Sequence, residues 1–138
     1  MQRRAFLASV GTAGLAAVAG CAGVSGSQGD ILMRASAFDP YEYTVSVGDT
    51  VTWYNASTRG HTVTAYENAI PADADYFATG GYEDEEAARE AFRQEGFAGG
   101  QISSGESYSH TFEVPGRYEY VCIPHEQGGM VGRIVVEE

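Results

Sequence analysis

The chain has 138 residues, enough to fold one domain around a hydrophobic core and hardly enough for two. Nineteen acidic residues stand against eight basic ones, all of them Arg, for a formal net charge of −11. Such a surface repels nucleic acid and anionic lipid alike, which excludes both as electrostatic partners.

An acidic chain without Lys predicts a protein kept soluble in strong brine. In molar salt the Debye length falls to about 3 Å, so the charge serves solubility more than long-range steering. Compositional drift and an acidic docking face for a basic partner are the competing readings. The two cysteines, Cys21 and Cys122, form no disulfide framework if each has another task. A monomer is expected.

Residues 1–20 hold no acid, begin with Arg3 and Arg4, and continue through an apolar Gly/Ala-rich run. This is a targeting segment rather than part of the fold. Arg3-Arg4-Ala5-Phe6-Leu7 resembles a twin-arginine export signal, and Val18-Ala19-Gly20-Cys21 resembles the box before a lipoprotein cysteine. Cleavage there frees Cys21 for lipid attachment, which predicts an exported protein anchored at the outer face of the cell membrane. A membrane span is the rival reading, but the run is short and rich in Gly against the roughly 20 apolar residues a span needs. Residues 21–30 then comprise the lipidated cysteine and a flexible linker.

The body, residues 31–138, reads as short alternating or apolar runs between turn residues, which predicts an all-β sandwich or barrel. Candidate strands are 31–36, 43–47, 50–54, 62–66, 107–113, 117–122 and 131–137. Tyr43, Val45 and Val47 alternate with Thr44 and Ser46, Gly48-Asp49 makes a turn, and Val51 and Trp53 continue the inward face. Met33 and Trp53 are expected in the core. A helix is predicted from Tyr82 to Gly96, inside an insertion at about 67–100, with acids at its start and Gly at its end. Ala88 and Phe92 face inward, Glu85 and Arg89 pair outside, and the helix covers a sheet edge or an end of the sandwich. Tyr76, Phe77, Tyr82 and Phe97 are open between packing and a docking surface.

Cys122-Ile123-Pro124-His125, followed by Glu126-Gln127-Gly128-Gly129-Met130, puts a thiolate, an imidazole and a thioether on one tight loop. His61, in the turn before another strand, supplies a second imidazole. A His₂Cys plane with a long axial Met is the donor set of blue copper electron-transfer sites. Cys-x-x-His alone is weak, since zinc and haem sites use similar fragments, but Met is a poor zinc ligand and closed zinc sites use Cys and His. Taken singly, Cys122 reads as a buried thiol, Met130 as a core filler and His61 as a turn residue. His110 alternates with Tyr108 and Phe112 and is structural.

Together, Phe38-Asp39-Pro40, Val45, Gly48-Asp49-Thr50-Val51-Thr52-Trp53, Asn55, His61 and the run from Cys122 through Met130 resemble the plastocyanin-type cupredoxins, especially the haloarchaeal halocyanins. The resemblance implies an eight-strand Greek-key sandwich with one type 1 copper at its end, held by His61, Cys122, His125 and Met130. Thr62 stands where many plastocyanins carry an Asn that braces the ligand loops, which puts that stiffness in doubt. Val121 stands where plant-type plastocyanins carry a Tyr, so the electron is expected to leave through His125, with partner proteins docking there. A copper oxidase or nitrite reductase needs more than the three His present, and a dinuclear centre needs another Cys near Cys122. A non-enzymatic one-electron carrier is therefore expected, with copper delivery or storage as the alternative.

Overall fold

The computed structural model describes residues 28–96 and 99–138. The export segment 1–20, the lipidation site Cys21, the first part of the linker and Phe97 lie outside the described residues.

Eight strands form two mixed four-stranded sheets. They are β1 (Ile31–Met33), β2 (Phe38–Asp39), β3 (Glu42–Ser46), β4 (Thr50–Asn55), β5 (Thr64–Ala65), β6 (Ser107–Thr111), β7 (Gly116–Val121) and β8 (Val131–Glu137). One sheet runs β2-β1-β4-β6 and the other β3-β8-β7-β5. Two pairings are parallel, β1 with β4 and β3 with β8, which join distant parts of the chain. This is the eight-strand β-sandwich that the resemblance implies.

Alternation decides which side chains enter the core. In β4, Val51, Trp53 and Asn55 point inward, and in β8 Gly132, Ile134 and Val136 do. Trp53 is the hub, with ring centroids 5.4 Å from Tyr120, 5.7 Å from Tyr108 and 6.2 Å from Phe77. Edge-to-face and offset contacts of this kind add to the large area each ring removes from water. Tyr120 lies against Gly132, where an added Cβ would meet its Cζ and Oη at 2.5 Å. Met33 is fully buried as expected.

Several expectations change in detail. The run predicted over 31–36 stops at Met33, because Arg34 N–H donates to the Ala37 carbonyl and turns the chain back into β2. Val47 is not inward: it lies past the end of β3 and is 40% exposed, its N–H donating to Glu137. The run predicted over 62–66 shrinks to Thr64–Ala65, since the N–H groups of Thr62 and Val63 go to side chains, the Cys122 sulfur and the Thr79 hydroxyl.

The helix, α1 (Glu85–Glu95), starts where Asp84 accepts from Ala87 N–H and ends where Gly96 adopts φ 60°. Ala88 is buried as expected. The pair expected outside, Glu85 and Arg89, forms at 2.9 Å, but Arg89 also reaches across to Glu126. The insertion covers the edge of β5: Ala65 N–H donates to Phe77, and Thr79 N–H to Val63. Phe77 is 3% exposed and packs on Trp53, Phe112 and Tyr118, so it belongs to the core rather than to a surface. Tyr76 and Tyr82 are half-buried, and the Tyr76 hydroxyl donates to the Ala65 carbonyl. His110 stacks on Phe77 at 4.6 Å, a packing role, and burial pushes its pKa down.

Candidate metal centre

Three chain segments meet at one end of the sandwich. His61 follows β4 after a short loop, Cys122 directly follows β7, and residues Ile123–Gly128 make a 3₁₀ turn that carries His125. The ligand atoms of His61, Cys122 and His125 all lie within 4.8 Å of one another, a grouping that stands alone among the described residues. Cys122 Sγ is 3.6 Å from His61 Nδ1 and 3.3 Å from His125 Nδ1. The two imidazole rings are 4.9 Å apart. Met130, the fourth predicted residue, is fully buried, and its backbone is paired with both loop residues: it accepts from Cys122 N–H and donates to His125 O. Gly129 makes that return possible with φ 86°, in the left-handed region that favours glycine.

Each histidine is held by its surroundings. His61 is pinned between backbone hydrogen bonds to Ile102 and a contact of 2.9 Å from Nε2 to the Ser57 hydroxyl. Ser57 gives its own proton to Asn55 Oδ1 at 2.8 Å, which assigns the shared proton of the first contact to His61 Nε2. Nδ1 therefore presents a lone pair toward Cys122. Asn55 is 1% exposed and fully satisfied, donating to Arg59 O and Ile102 O and accepting from Ser57. Burial, then the neighbouring His125, holds the His61 pKa down at about 4, so the ring is neutral and able to ligate at physiological pH. Burial likewise lowers His125, with Arg59 adding to it. Burial pushes the Cys122 thiol up to about 11, so uptake of a metal cation must displace its proton.

Thr62 resolves the doubt raised by the missing Asn. Its N–H donates to Cys122 Sγ at 3.4 Å, and its hydroxyl accepts from Ile123 N–H at 2.9 Å. The brace between the two ligand segments is thus built from a Thr. Replacing Thr62 by Val keeps the shape but leaves Ile123 N–H without its partner, at an expected cost of about 1–3 kcal/mol. Thermal unfolding of the metal-free protein measures it; a change within about 0.3 kcal/mol would mean that Thr62 does not brace the two segments.

Soft and borderline donors converging at one point, one thiol and two imidazoles, with a buried thioether residue on the same loop, fit copper better than a hard cation. Ser57 and Arg89 were not singled out for the site by the sequence. Ser57 is a polar loop residue with no periodic signature. His61, Cys122 and Met130 are fully shielded, whereas His125 is half-buried and the neighbouring Gly128 and Gly129 are exposed. Val121 is fully buried.

Known proteins give the same reading. The family of copper binding proteins described as plastocyanin/azurin matches residues 25–137. Plastocyanin of Scenedesmus fuscus is 33% identical over 103 residues, covering 75% of this chain and 89% of that protein. Chloroplastic plastocyanin of Tetradesmus obliquus is 32% identical over 103 residues, covering 75% of this chain and 60% of its own length. Among solved structures, pseudoazurin from Methylobacterium extorquens AM1 superposes with a TM-score of 0.55 at 23% identity, covering 78% of this chain and 73% of that one, a likeness of fold.

Proposed function

Because this chain belongs to the plastocyanin/azurin family of copper-binding proteins, we propose that it is a one-electron carrier using a single type 1 copper held by His61, Cys122, His125 and Met130. The observation that carries the reading is the convergence of the buried Cys122 sulfur with Nδ1 of both His61 and His125. Bound there, copper supplies a cuprous–cupric couple that takes up and releases one electron. The protein's part is to hold the donors still. Asn55 and Ser57 fix His61, Thr62 ties Ile123 and the Cys122 sulfur to the His61 segment, and backbone pairing locks Met130 to Cys122 and His125. A donor set that does not rearrange keeps the cost of electron exchange low. The Thr62 N–H aimed at Sγ also tunes the thiolate.

Electron exit is assigned to His125, the least buried of the four. A partner protein docks over His125, whose neighbours Pro124, Gly128 and Gly129 are small enough to permit close approach. At position 121 the aliphatic Val offers no aromatic route. The carrier works as a monomer. Export through residues 1–20 and lipidation of Cys21 would tether it to the outer face of the membrane, and the Lys-free acidic composition supports placement with the haloarchaeal halocyanins.

Reconstitution with Cu(II), copper counting and a visible spectrum test the carrier. One copper per chain with an intense thiolate-to-copper band is expected. Colourless, readily lost copper would instead assign copper delivery or storage. Detergent partitioning tests the tether: the wild type is expected in the detergent phase and Cys21→Ser in the aqueous phase, and equal partitioning would end that part of the proposal.

A further inference from the structure

The insertion does more than cover a sheet edge. Arg89, from the middle of α1, makes a two-pronged contact with Glu126, Nη1 to Oε1 at 2.8 Å and Nη2 to Oε2 at 3.1 Å. Glu126 directly follows His125, and its carbonyl accepts from Gly129 N–H, so it is part of the turn that carries the metal ligands. Two further groups fix the pair. The Tyr66 hydroxyl donates to Glu126 Oε2 at 2.8 Å, and Glu85 accepts from Arg89 Nε at 2.9 Å. The Arg89 guanidinium also lies 5.9 Å from the centre of the Tyr66 ring. The anchor of the helix is itself fastened, because Glu85 and Glu67 exchange side-chain to backbone hydrogen bonds at 2.9 and 3.1 Å. Arg89 is 23% exposed and Glu126 35%, a partly sheltered pair rather than a solvated one.

We propose that Arg89 is a positioning residue for the copper centre: through Glu126 it holds the His125 loop from the insertion helix and cancels the carboxylate charge next to that ligand. The inference rests on the carrier reading and adds to it a role for the insertion. A planar guanidinium suits the task, since it grips both carboxylate oxygens and fixes their direction as well as their distance. The electrostatic consequence has a sign. An uncompensated carboxylate near the metal favours the cupric form, and an uncompensated guanidinium favours the cuprous form.

The test compares the reduction potentials of wild type, Arg89→Gln, Glu126→Gln and the double variant, all copper-loaded, at low salt. Arg89→Gln is expected to raise the Cu(II)/Cu(I) ratio at a fixed redox poise about threefold to tenfold, Glu126→Gln to lower it by a similar factor, and the double variant to return most of the way. Arg89→Lys restores charge without the fork; it is expected to keep the potential near wild type while amide exchange over residues 123–130 of the metal-free protein quickens. If Arg89→Gln fails to fold, Tyr66→Phe takes its place, with a smaller shift in the same direction. A purely structural pair would leave the potential unmoved or shift both single variants the same way, and either result overturns the proposal. A wild type with no intense thiolate band overturns the carrier reading instead, so the two failures are distinguishable.

Discussion

Replacement of Cys122 by Ser is expected to abolish the intense visible band of the copper-loaded protein and to weaken copper retention by more than about a hundredfold. The comparison that sets this scale is the loss of an outer-sphere partner, which already costs about 10- to 100-fold in metal affinity. Cys122 is a direct donor candidate, fully buried, with Nδ1 atoms at 3.3 and 3.6 Å. An intense band of this kind requires a sulfur orbital to donate charge to the metal, and a serine hydroxyl offers neither the soft orbital nor an accessible anion. The fold should survive, because the Ser hydroxyl can still accept from the Thr62 N–H that now points at sulfur. Circular dichroism and thermal unfolding of the metal-free variant check this. His110→Ala serves as the control. Its ring stacks on Phe77 and lies outside the donor cluster, so the band should persist. A blue Cys122→Ser protein would show that the colour comes from some other centre.

The legible part of this site was its chemistry. Cys122, His125 and Met130 are uncommon residue types packed into one loop, and their softness and spacing point to a metal before any fold is known. Long, strictly alternating strands such as β4 and β8 were legible for the same local reason: period two places Val51 and Trp53, or Ile134 and Val136, on one face. What escaped was set by tertiary contacts. Strand β2 is only two residues long, too short for any pattern. Strand β5 is shortened because Thr62 spends its N–H on a sulfur sixty residues away in sequence. The same Thr appeared as a weakening and is instead the brace. Arg89 was read as half of an i,i+4 pair on a helix surface, and its second partner lies 37 residues further along the chain.

The insertion supplies the second large effect. Phe77→Ala is expected to destabilise the protein by about 3–5 kcal/mol, the range for truncating a buried aromatic ring. Against a typical domain stability of about 5–15 kcal/mol this is roughly a fifth of the total or more. The reason lies in where the ring sits. Phe77 meets Phe112 edge-on at 5.3 Å, stacks with Trp53 at 6.2 Å, and approaches Tyr118 at 6.3 Å and His110 at 4.6 Å, so its loss leaves a gap in a close-packed aromatic cluster. Its carbonyl also accepts from Ala65 N–H, so a shift of the segment is felt in β5 and, through Val63 and Thr62, beside His61. Thermal unfolding followed by Trp53 fluorescence should show the midpoint falling by on the order of 15 °C. Copper is expected to recover part of the loss, since ligation stabilises only the folded state. A midpoint within about 3 °C of wild type would mean that the insertion rests on the sandwich without being part of its core.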